Sequence, residues 1–106
     1  MMSKEKLFDY VVRRNFLIAK EKTGYSFFGL FSALKEEGAL AAARRYISPK
    51  FRHEFQEGLR ELKRHGLLHL SVECTIIAFG RKGYLFSEAE VAAAMERLRL
   101  INLLVR

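Results

Sequence analysis

The side chains able to carry chemistry in this chain are three histidines, one cysteine, twelve carboxylates and nineteen Lys and Arg residues. Glu61, His65 and His69 stand at four-residue intervals, which on one unbroken helix would turn three metal ligands to a single side. Gly66 lies between the two histidines and reads as a helix stop. The set is therefore not expected to hold a metal. His65 reads as a helix-end residue beside terminal carbonyls, and His69 as a surface residue. Cys74 sits in an apolar stretch with only His69 near it in sequence. A nucleophilic thiol needs an electropositive, partly exposed setting and a base, so Cys74 reads as a buried structural thiol. A single cysteine also excludes an internal disulfide and a cysteine-based zinc site. Gly80-Arg81-Lys82-Gly83 lacks both the spacing of a phosphate loop and a preceding strand. With no constellation for catalysis, the chain is not expected to be an enzyme, and no cofactor is implied.

Charge is the more informative feature. The net charge is +7, and residues 48–66 carry five basic and three acidic groups. Wound as a helix, this segment puts Phe51, Phe55, Gly58, Leu59 and Leu62 on one stripe. Arg52, His53, Gln56, Arg60, Lys63 and Arg64 fill the adjoining arc, and Glu54, Glu57 and Glu61 fill the next. Arg60 and Arg64 are four apart, as are Glu57 and Glu61, and each like pair costs a few tenths of a kcal/mol in an isolated helix. This segregation fits an anionic partner. It also fits an ordinary solvated face in which Glu57–Arg60 and Glu61–Arg64 relieve each other at i, i+3. Arg44, Arg45 and Lys50 stand just before this segment. Arg81-Lys82 lies between two glycines, where backbone amides could also meet a phosphate. The first functional expectation is a non-enzymatic module that contacts nucleic-acid backbone through Arg44, Arg45, Lys50, Arg52, Arg60, Lys63, Arg64, Arg81 and Lys82, with little sequence preference. A sequence-reading helix-turn-helix about Gly38 is not expected, because its second helix would expose alanines and offer only Arg44 and Arg45 to base edges.

The rival expectation rests on the C-terminus. Ile101 and Val105 continue the buried stripe of the last helix, while Leu100, Leu103 and Leu104 point the other way. A helix that is apolar all round must be covered. Either the N-terminal helix covers both sides, or these residues, joined by Phe28, form an interface for a homodimer or a larger protein partner.

The elements that must position these residues are helical throughout. Ser3 caps a first helix that runs to about Lys22 and stops at Gly24. Its core side is Leu7, Phe8, Val11, Val12, Phe16, Ile18 and Ala19. A second helix runs from about Ser26 to Glu37 on Phe27, Leu30, Phe31 and Leu34, and stops at Gly38. Alanine-rich residues 39–47 form a third. Ser48-Pro49 opens a fourth, which ends at His65-Gly66. Ser87-Glu88-Ala89-Glu90 is a capping box that opens the last helix, buried through Val91, Ala94, Leu98, Ile101 and Val105. Residues 68–78 alternate apolar and polar like a strand, yet no other stretch offers a partner strand. Ser71 as a cap and Glu73 at a helix N-terminus favour a helix through Val72, Ile76 and Phe79, followed by a Gly80–Gly83 loop. The expected fold is all-α: a single domain over residues 1–106, a compact bundle of five to six short helices able to self-associate.

The stretches Thr23-Gly24, Glu37-Gly38-Ala39 with Ala42-Ala43-Arg44, Gly66-Leu67-Leu68-His69-Leu70-Ser71-Val72-Glu73 and Leu85-Phe86-Ser87-Glu88-Ala89-Glu90-Val91, with Ala94 and Arg97-Leu98, carry a resemblance. Over most of residues 23–98 the chain resembles a small all-helical bacterial domain of unknown function, found alone or attached to larger proteins. The resemblance implies helix at 71–79 and transfers no activity, cofactor or site residue. No apolar signal-like segment follows Met1, and no run reaches the roughly 20 apolar residues of a membrane span. A soluble, cytoplasmic chain with no membrane partner is expected.

Overall fold

A computed structural model describes the backbone of residues 3–48, 56–83 and 85–104, and the side chains of these except 56, 81–83 and 104. Among the described residues there are six α-helices, one 3₁₀ turn and no strand. The chain is a small all-helical domain, as the sequence and its resemblance imply.

Helix α1 (Lys4–Thr23) is capped by Ser3, whose Oγ accepts from Lys6 N at 3.1 Å. It closes at Gly24, where φ is 74° and the amide donates to Lys20 O. A left-handed residue at that position is the ordinary glycine stop. Phe8, Val12, Phe16 and Ala19 are buried. Leu7, expected among them, is 44% exposed, and Asn15 is buried in its place.

Helix α2 (Phe28–Glu37) starts later than Ser26, because Phe27 adopts a left-handed backbone (φ 48°) and breaks the turn ahead of it. A non-glycine residue there carries strain of about 1 kcal/mol or more. Burial of its ring offsets that cost: Phe27 lies edge-on to Tyr25 at 4.9 Å and to Phe16 at 6.5 Å. Gly38 turns the chain directly into α3 (Ala39–Tyr46). Ala39, Ala42 and Ala43 are buried, so these small residues let α3 sit close to its neighbours α1 and α2.

Helix α4 (Gln56–Arg64) buries Leu59 and Leu62. Its expected opening, Ser48-Pro49 and on through Phe51 and Phe55, lies outside the described residues from Pro49 onward. Gly66 (φ 70°) ends the element, and the 3₁₀ turn Leu68–Leu70 leads into α5 (Val72–Gly83). Residues 71–79 are thus helical, and the Ser71 Oγ accepts from Cys74 N at 3.1 Å as a cap should.

The helix does not stop at Phe79, however: the expected Gly80–Gly83 loop is its last turn. Gly80 serves close packing, since a methyl group there would collide with Val91 Cγ2 of α6. Helix α6 (Glu88–Leu104) opens with the predicted capping box, Glu90 N to Ser87 Oγ at 3.1 Å and Ser87 N to Glu90 Oε1 at 2.8 Å. It packs most extensively on α5 and also on α4. Phe8 joins the two halves of the core, its ring edge-on to Phe79 at 5.2 Å and to Phe86 at 5.1 Å.

Candidate functional site

Among the described residues, four of the arginines expected to form a phosphate-binding flank, Arg44, Arg45, Arg60 and Arg64, lie against carboxylates. Arg44 leaves the C-terminal part of α3 and donates from Nε to Glu90 Oε2 at 3.0 Å and from a terminal nitrogen to Leu85 O at 3.1 Å. Its guanidinium also lies 5.7 Å from the centre of the Phe86 ring. These contacts tie α3 to the turn that opens α6, which gives Arg44 a bracing role. Burial works to raise the Glu90 carboxyl, but the Ser87 amide and then Arg44 outweigh it and hold that carboxyl below its ordinary value. Arg45 pairs with Glu37 at 3.1 Å across the Gly38 corner. On α4, Arg60 lies 3.7 Å from Glu57 and Arg64 lies 2.8 Å from Glu61, the i, i+3 relief described by the solvated-face reading. Lys63 donates to Asn102 Oδ1 at 2.8 Å and so links α4 to α6.

Exposed pairs of this kind contribute about 0–1 kcal/mol, so any of them could exchange a carboxylate for a phosphate cheaply. Their effect on the field is larger, because each Arg–Glu pair presents no net charge to a distant polyanion. Lys50 and Arg52 lie outside the described residues. Arg81 and Lys82 lie on the last turn of α5, where backbone amides are turned into the helix and are not arrayed as a loop, and their side chains fall outside the description.

Of the histidines, His65 and His69 are described and His53 lies outside the described residues. His65 Nδ1 lies 2.9 Å from the Glu61 carbonyl at the helix end, and the chain turns at Gly66 before His69. Among the described residues, no group of three His, Cys, Asp or Glu side chains could hold a metal ion. Cys74, expected to be buried, is only half-buried. No described helix is long and apolar enough to cross a membrane.

The expected apolar interface is divided between helices. Phe28 on α2 is 71% exposed and Leu103 on α6 is 64% exposed. Leu100 is half-buried, and the Leu104 side chain is outside the description. The main packing partner of α2 is α3, whereas α6 lies on α5 and α4.

A surface that sequence reasoning missed lies between α1 and α2. Phe16, Leu17, Phe31 and Leu34 line a groove whose remaining lining residues are Arg13 and Lys35. Leu17 is 62% and Phe31 45% exposed, and the Phe31 ring stacks on Phe16 at 6.1 Å. Phe28, three residues before Phe31, is its neighbour on the helix surface. Scattered exposed apolar side chains are ordinary; three large ones on adjoining faces are not. Phe31 continues the i, i+3, i+4, i+7 stripe of α2, so periodicity marks it as core. Its exposure follows from the absence of any described element across that edge of the bundle.

A second unforeseen feature is internal. Arg97 of α6 and Glu73 of α5 pair at 2.7 Å, both buried, with the buried Tyr46 phenol close enough to feel both charges. No family model matches the chain, and neither a curated protein nor a solved structure matches it.

Proposed function

We propose that this chain is a non-enzymatic protein-interaction module that engages a larger partner through the apolar surface of α1 and α2. The observation that carries the reading is the exposure of Leu17 and Phe31 in one groove, with the exposed Phe28 one turn before Phe31 on α2, in a domain whose other large apolar residues mostly reach the core. A cytoplasmic setting, which suits a lone thiol, belongs to this reading. A photo-crosslinking residue placed at position 28 is expected to trap one discrete protein in the native cell, and one placed at 99 to trap none. No adduct from position 28 contradicts the proposal.

A second reading, contact with nucleic-acid backbone, is favoured by the net charge of +7. It is weakened by the carboxylates on Arg44, Arg45, Arg60 and Arg64. If about five phosphates are neutralised, affinity falls several-hundred-fold between roughly 50 and 200 mM salt. Absence of binding at low salt excludes it.

A further inference from the structure

We infer that the α1–α2 groove takes an acidic amphipathic helix, a partner class that rests on the interaction reading above and sharpens it. The groove floor is apolar, built from Phe16 and Leu17 on one side and Phe31 and Leu34 on the other. Its remaining lining residues, Arg13 and Lys35, are cationic, and no acid lines it. Lys20, exposed and three residues after Leu17, prolongs that rim along α1. Asp9 pairs with Arg13 and accepts from the first amide of α3, so the net positive charge of the rim comes from Lys35 and Lys20, and Glu21 is the exposed acid one turn from Leu17 on α1. A ligand that fills this trough must therefore bring apolar side chains down its middle and negative charge along its edges.

The groove walls are helices, which offer side chains and no open ladder of backbone donors and acceptors. An extended peptide laid there would leave its own backbone unpaired, whereas a helix satisfies its backbone internally and presents apolar residues at i, i+3, i+4 and i+7. A second copy of this chain is disfavoured as occupant, since each copy carries +7 and would press cations against the cationic rim.

The test uses two synthetic helical peptides with the same Leu and Phe stripe, one flanked by Glu and one by Lys, titrated by anisotropy into the full chain. The Glu-flanked peptide should bind about tenfold more tightly, the size expected of a few exposed charge pairs, and the margin should narrow as salt rises. Lys20→Glu with Lys35→Glu should abolish or invert that preference while the far-ultraviolet dichroism stays unchanged. Arg13 is left intact in these variants because it braces the fold. Phe31→Asp should remove binding of both peptides. Equal affinity for the two peptides, or binding of neither, overturns the inference. If neither binds but the position-28 cross-link persists, the surface remains an interface and only its acidic-helix partner is wrong. A dimer that Phe31→Asp dissolves puts a second copy in the groove, which also overturns it.

Discussion

Asp9 and Arg13, one turn apart on α1, hold the two helix ends that meet at Gly38. Asp9 Oδ1 accepts from Ala39 N, the first amide of α3, at 3.2 Å. Arg13 donates to Leu34 O, near the end of α2, at 3.0 Å, and its Nε donates to Asp9 Oδ2 at 2.7 Å. A carboxylate thus sits at a helix N-terminus and a guanidinium at a helix C-terminus, the arrangement that the two macrodipoles favour. Asp9 does for α3 what an N-cap residue would, from 30 residues away in the chain.

Removing Asp9 should therefore cost what losing a helix cap costs. Asp9→Ala is expected to lower stability by about 1 kcal/mol in urea unfolding, a fall of roughly 4–8 °C in Tm for a domain of this size. Asp9→Asn keeps an oxygen for the Ala39 amide and should lose less. Equal losses from the two variants would mean that the amide is not capped.

The Glu73–Arg97 pair predicts a larger asymmetry. Either partner left alone would be a buried charge without its counterpart, so Arg97→Met or Glu73→Leu alone should cost about 3–5 kcal/mol. The double variant should recover much of that loss, because an apolar pair has no desolvation to repay. A double variant no better than the worse single one would show that the pair is not acting as a unit.

Tyr46 gives the pH dependence. Burial, and after it the Glu73 charge, pushes the phenol far above the usual range. The fold holds the neutral form, while the unfolded chain ionises near pH 10. The resulting stabilisation is fully present below about pH 10 and falls as pH rises past it. Tyrosinate absorbance should therefore show one phenol that appears only with alkaline unfolding, and Tyr46→Phe should remove that step. A Tyr46 signal that grows while the dichroism stays native would contradict the burial.

Gly80 separates a loop from a packed helix. Gly80→Ala drives a methyl group into Val91 and should cost about 1–3 kcal/mol, the usual range for overpacking. Val91→Ala in the same chain should relieve it. In an open loop the substitution would be close to neutral.

The fold was largely legible because caps and stops are local chemistry. Ser3, Gly24, Gly38, Gly66, Ser71 and the Ser87–Glu90 box all act through neighbours within five residues, so spacing alone reveals them. Three kinds of feature were not legible. The Gly80–Gly83 segment reads as a loop because glycine serves flexibility and close packing alike, and only the position of Val91 decides between them. The charge flank read as segregated on one helix, but Arg44 meets Glu90 from 46 residues away, a pairing no wheel displays. Nothing in the sequence pairs Arg97 with Glu73, 24 residues away; only the packing of α6 on α5 brings them together. The α1–α2 groove stayed hidden for a related reason: the periodicity of Phe31 tells that it faces inward on its helix, but not whether another element lies over it.

A partner can reach Leu17, Phe28 and Phe31 only if they are uncovered in the isolated chain, and a stability measurement decides that. Leu17→Ser and Phe28→Ser, made together and compared with the parent by urea unfolding, should change stability by no more than about 0.5 kcal/mol, as surface substitutions do. A loss of about 2 kcal/mol or more would mean that these side chains are packed within the fold and offer a partner nothing.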